Sequence, residues 1–96
     1  MNILLSKQAE KTYSSIRNYI IEDFGENVAD VFEDKVTDFL ELIKSFPQIG
    51  SVEESSKQIL GFQLTKQTRI FYRIKNDNII ILSFFDVRQS PKKKPH

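Results

Sequence analysis

The apolar residues change their spacing once along the chain, and that switch constrains the fold more than any other feature. Ala9, Tyr13, Ile16, Ile20 and Phe24 recur at three- and four-residue steps, which lines one face of an amphipathic helix. Ser6 stands before them as an N-cap, its hydroxyl placed to accept from a backbone N–H that the helix leaves unpaired. Gly25 lies just past the last of them, where a helix commonly needs a residue of positive φ. Val28, Phe32, Val36, Phe39, Ile43 and Phe46 keep the same period, and Glu33, Asp34, Asp38 and Glu41 occupy the wet side. Pro47 stops this second helix, because proline has no N–H to donate and disfavours a helical residue before it. Two long helices with so short a link fold back as an antiparallel hairpin.

Beyond Phe46 the period becomes two. Leu60, Phe62 and Leu64 alternate with polar residues, and Ile70, Tyr72 and Ile74 alternate with Arg69, Phe71, Arg73 and Lys75. Asn76-Asp77-Asn78 is a turn cluster, and Ile79 to Phe85 is a continuous apolar run suited to a fully buried strand. Asn2 to Leu5 adds a short N-terminal strand. Gln48 to Lys57 is polar and reads as a surface connection. The expectation is an α+β fold of order β-α-α-β-β-β, the helical hairpin packed on a small, mostly antiparallel sheet. One domain over residues 1–90 and a basic tail over 91–96 account for the chain.

In 96 residues only a modest core can form, and eight Phe with three Tyr supply its bulk. With no Cys, neither a disulfide framework nor a thiolate metal site is available. No run approaches the roughly 20 apolar residues of a membrane span, so a cytoplasmic location without membrane association is expected. With one His and scattered carboxylates, no metal and no cofactor is expected. Glu53 and Glu54 read as part of a wet turn.

Net charge is +1, which argues against non-specific nucleic-acid binding over the whole surface. The charge is unevenly placed. From Lys66 onward stand Lys66, Arg69, Arg73, Lys75, Arg88 and the run Lys92, Lys93 and Lys94, opposed only by Asp77 and Asp86. If residues 69–75 form one strand, Arg69, Phe71, Arg73 and Lys75 share a face. Three cations around one Phe are unusual to bury. Such a face either meets solvent and a partner, or its charges are paired with carboxylates of the helices.

Three stretches carry a resemblance to a known family: Phe24-Gly25-Glu26 with Ala29 and Phe32; Ile43-Lys-Ser-Phe-Pro-Gln-Ile-Gly50; and Arg69-Ile-Phe-Tyr-Arg-Ile-Lys75 followed by Ile79-Ile-Ile-Leu-Ser-Phe-Phe-Asp-Val-Arg-Gln-Ser-Pro91. In this order and spacing they resemble the RelE/ParE toxins of type II toxin–antitoxin systems, and the ParE branch more than the RelE branch. The resemblance implies a toxin that arrests growth and is neutralised by a cognate antitoxin. For the ParE branch it implies inhibition of DNA gyrase by binding; for the RelE branch, cleavage of mRNA on the ribosome. Arg69 and Arg88 stand where RelE-like nucleases place phosphate-binding arginines, so a nuclease here would draw on Lys66, Arg69, Arg73 and Arg88. Two pieces of that equipment are missing. The strand before Arg69 has one lysine where the nucleases carry two separated by one residue, and no Tyr follows Arg88 to move a proton.

For a binding toxin the expected contact set for target or antitoxin is Arg69, Phe71, Arg73, Lys75, Asp86, Arg88, Gln89 and Lys92 to Lys94. Asp86 has a plainer role open to it, capping its turn or pairing with Arg88. Tyr72 belongs to the core by its alternation with Ile70 and Ile74. His96 has the one side chain that titrates near neutrality when unperturbed, and after Pro95 it is expected to be solvated.

Overall fold

Ser6 starts the first helix as its side chain requires. Its Oγ accepts from Ala9 N at 3.0 Å and donates to the carbonyl of Leu82 at 2.9 Å, so one hydroxyl both caps the helix and fixes it to the sheet. The computed structural model describes residues 1–89. β1 (Asn2–Leu5) leads into α1 (Lys7–Phe24) and α2 (Glu26–Ser45), followed by β2 (Ser51–Glu54), β3 (Ile59–Gln63), β4 (Thr68–Lys75) and β5 (Asn78–Asp86). Gly25 alone separates the helices, with φ +94° and ψ 168°, a conformation that a residue with a Cβ resists. It ends α1 and precedes α2, so the hairpin turns within a single residue. α2 stops at Ser45, two residues before Pro47.

The strands form one sheet in the order β1-β5-β4-β3-β2. Neighbours among β2 to β5 run antiparallel, and β1 joins β5 in parallel. Asn76 and Asp77 make the β4–β5 turn, Asn76 at φ 58°. β2 corrects the expectation of a plain connection between Gln48 and Lys57. Its four residues are all exposed, so no apolar alternation announces it; its backbone pairing with β3 creates it.

Both helices lie against one face of the sheet. Thr68, Ile70 and Tyr72 of β4 are buried there with Ile79, Ile81, Phe84 and Asp86 of β5. From the helices come Ala9, Ile16, Ile20, Ala29, Phe32, Val36, Phe39 and Ile43. Tyr13 stacks on Phe32, and Phe39 on Phe62, with ring centroids 5.8 and 4.6 Å apart. Tyr72 is fully buried, and its hydroxyl does more than fill the core. It donates to Pro47 O at 2.8 Å and accepts from Gly50 N at 3.0 Å, tying the loop after α2 to the middle of the sheet.

No described element covers the opposite face. The expectation that Ile79 to Phe85 forms a strand buried on both sides is therefore corrected: Ile80, Leu82 and Ser83 are half-buried and Phe85 is exposed. A register shift opposite Phe71 and Tyr72 inserts Leu82 as an extra residue and keeps Ile81 and Phe84 on the core side.

Candidate functional site

Pairing across the sheet sets out the uncovered face in rows. Gln63, Arg69 and Phe85 lie abreast, then Gly61, Phe71 and Ser83, then Ile59, Arg73, Ile80 and Leu4, and last Lys75, Asn78 and Asn2. Alternation along β4 thus places Arg69, Phe71, Arg73 and Lys75 on one face, as their spacing predicts. What their spacing does not reveal is how differently they are held.

Arg69 is internally satisfied. Its Nη2 pairs with Glu53 Oε2, its Nη1 donates to Gln63 Oε1 at 3.1 Å, and its guanidinium carbon sits 6.0 Å from the Phe71 ring centre. The carboxylate comes from β2, not from the helices, and Glu53 is a sheet residue instead of part of a wet turn. Gly61 makes room for the pair: a Cβ there would meet Glu53 Oε2 at 2.7 Å and Arg69 Nη2 at 2.9 Å. Arg73 is held differently. Its Nε is shut off from solvent without a hydrogen-bond partner, and its guanidinium joins no ion pair among the described residues.

Arg88 belongs to a second constellation, on the helix side of the sheet. Asp86 is buried, with a side chain 0% exposed. Its Oδ1 accepts from the backbone N–H and from Nε of Arg88, both at 2.9 Å; its Oδ2 accepts from Arg88 Nη2 and from Thr68 Oγ1, both at 2.7 Å. Burial alone would raise the pKa of this carboxyl, but the bonds from Arg88 and Thr68 outweigh it and hold the value below the ordinary carboxylate range. The same bonds to Asp86 raise the pKa of Arg88. The guanidinium then packs over the rings of Tyr19 and Phe24 at the end of α1, 5.5 and 5.6 Å from their centres. Gln89 continues the attachment by donating to Ser15 O at 3.3 Å and Ser15 Oγ at 3.1 Å.

The residues grouped by charge therefore separate in space. Arg69, Phe71, Arg73 and Lys75 lie on the open face; Asp86, Arg88 and Gln89 bind β5 to α1; Lys66 is exposed in the turn between β3 and β4. Lys92 to Lys94 and His96 lie outside the described residues. Glu53, Gln63, Tyr19 and Phe24 escape sequence reasoning because each meets its arginine only through tertiary pairing, and Thr68 because it meets Asp86 only across the sheet. Gly61 is the one local hint, a glycine inside an alternating strand.

Among curated proteins none matches the chain in sequence. Solved structures of similar fold include the chromosomal ParDE toxin–antitoxin system of P. aeruginosa, 18% identical over 91% of this chain and 96% of that one, with a TM-score of 0.66. The YoeB/ParE toxin from Agrobacterium tumefaciens is 12% identical over 90% of this chain and 98% of that one, TM-score 0.63. A chain of the YoeB–YefM complex from Staphylococcus aureus is 16% identical over 88% and 94%, TM-score 0.60. At these identities the likeness is one of fold. The family model described as the ParE toxin of the type II toxin–antitoxin system parDE matches residues 3–91, and the chain belongs to that family.

Proposed function

We propose that this chain arrests growth by binding DNA gyrase in the cytoplasm, and that a cognate antitoxin neutralises it by covering the open sheet face. The observation that carries the reading is the internal pairing of Arg69 and Arg88. Cleaving a phosphodiester without a bound cofactor calls for free cations to stabilise the charge that develops on phosphorus, and for a group to move a proton. Here each arginine that stands where RelE-like nucleases bind phosphate already faces a carboxylate, Glu53 or Asp86, and the two lie on opposite sides of the sheet. The single lysine before Arg69 and the lack of a Tyr among residues 89–96 point the same way.

What remains on the open face is suited to a protein partner: aliphatic and aromatic side chains around Arg73 and Lys75. Membership in a toxin–antitoxin family supports an antitoxin as one such partner, and a similar fold occurs in the YoeB–YefM complex. The test is brief expression without antitoxin while DNA and protein synthesis are followed by pulse labelling. Early failure of DNA synthesis is expected. Early failure of translation would instead support the ribonuclease reading, with Arg69 released from Glu53 on the ribosome. Overexpression of folded protein without harm would reduce the chain to a binding module.

A further inference from the structure

Arg69 and Arg73 stand four residues apart on the open face of β4 and differ in what they lack. Arg69 has its acceptors built in, from Glu53 and Gln63. Arg73 carries a desolvated Nε with nothing to donate to, and a guanidinium outside any ion pair among the described residues. A buried donor without an acceptor is costly and leaves this guanidinium under-satisfied, and a charge-assisted bond from its Nη groups to an arriving carboxylate offsets that cost. The surroundings narrow the kind of partner further. In register across the sheet, Arg73 is flanked by Ile59 on one side and by Ile80 and then Leu4 on the other. Leu4 is 49% exposed. The row thus presents one cation between aliphatic side chains, with the next arginine already neutralised.

From this we propose that Arg73 is the specificity-determining anchor of the open face, receiving a single carboxylate from an extended segment of a partner protein whose flanking residues are aliphatic. The proposal rests on the reading of this face as the antitoxin's seat and adds which residue selects and what it selects. Charge complementarity commits it to a peptide of this pattern. A nucleic acid would need several free cations along its phosphates, and would gain little from Ile59, Ile80 and Leu4.

The test selects displayed random nine-residue peptides on the wild-type chain and on Arg73→Gln and Arg73→Lys, all made by cell-free synthesis and checked for folding by circular dichroism. The wild type should enrich one Asp or Glu with aliphatic residues nearby. Arg73→Gln should bind the best such peptide at least about tenfold more weakly, as expected for loss of a charge-assisted bond, and Arg73→Lys should recover only part of that loss because it cannot bind bidentately. Arg69→Gln should select the same motif as the wild type. The proposal is overturned if Arg73→Gln enriches the same acidic motif, or if the wild type enriches none. It is also overturned if a single-stranded RNA displaces the peptide at equal concentration, or if sedimentation shows a second copy of the chain covering the face. If Arg73→Gln fails to fold, the same comparison is made with Ile80→Ser, which should weaken the selected peptide while keeping its acidic position; loss of the acidic preference there would refute the assignment. None of these readouts depends on gyrase, so failure of the anchor and failure of the toxin reading are told apart.

Discussion

Replacing Arg88 with Leu keeps an apolar body over Tyr19 and Phe24 but removes the charge that faces Asp86. Three side-chain and backbone bonds from Arg88 and one from Thr68 reach that carboxylate. The variant keeps only the bonds from the Arg88 backbone N–H and from Thr68. Removing one partner of a buried pair costs about 3–5 kcal/mol. The Arg88 side chain is 24% exposed, and an unpaired Asp86 can take up a proton, so about 2–4 kcal/mol is the expected loss at pH 7. For a domain of this size that lowers Tm by about 10–25 °C. The pH dependence adds a stricter check. Asp86 has a lowered folded pKa, so its contribution is present above the ordinary carboxylate pKa and disappears as pH falls through the folded value. The gap between wild type and variant must therefore shrink from pH 7 towards pH 3. Urea unfolding followed by circular dichroism at several pH values measures it. A loss below about 1 kcal/mol, or a gap unchanged between pH 7 and pH 3, would refute the account of this pair.

Glu53→Gln should free Arg69 at little cost in stability, under about 1 kcal/mol, because the pair is partly solvated. Fluorescence anisotropy should then show a gain in salt-dependent affinity for single-stranded RNA; unchanged affinity would mean that Glu53 is not what withholds Arg69 from phosphates. Gly50→Ala should destabilise by about 1–3 kcal/mol in thermal unfolding, since its Cβ would lie 2.8 Å from Gly61 O and 2.9 Å from the Tyr72 hydroxyl. Tyr72→Phe removes the acceptor for Gly50 N and the donor to Pro47 O, and should cost about 1–3 kcal/mol with faster hydrogen exchange at Gly50. Ser6→Ala should cost about 1 kcal/mol or more by the same unfolding measurement, because the hydroxyl serves both α1 and Leu82.

The regular elements were legible because their signals are local. The Ser6 cap, the stop before Pro47 and the Asn76-Asp77 turn each follow from residues close together in the chain, and the change of period separates helices from strands. β2 was not legible, since a four-residue exposed edge strand is defined only by what it pairs with. The shared face of Arg69 to Lys75 could be read from strand alternation alone. Its energetic division into a satisfied Arg69 and an unsatisfied Arg73 could not, because Glu53 lies 16 residues before Arg69 and reaches it through the β2–β3 hairpin. Arg88 illustrates the same limit. Its pairing with Asp86 follows from a two-residue spacing, whereas its packing on Tyr19 and Phe24 depends on how α1 crosses the end of β5. Grouping cations by charge along the chain joined residues that the sheet places on opposite sides.

The action proposed for this toxin is binding of gyrase and not cleavage of RNA. Purified chain, free of antitoxin, added to DNA gyrase with relaxed plasmid and ATP tests it directly. Loss of supercoiling or accumulation of gyrase-cleaved DNA is expected, with mRNA on ribosomes left intact under the same conditions. Unimpaired supercoiling together with cleaved mRNA would contradict it.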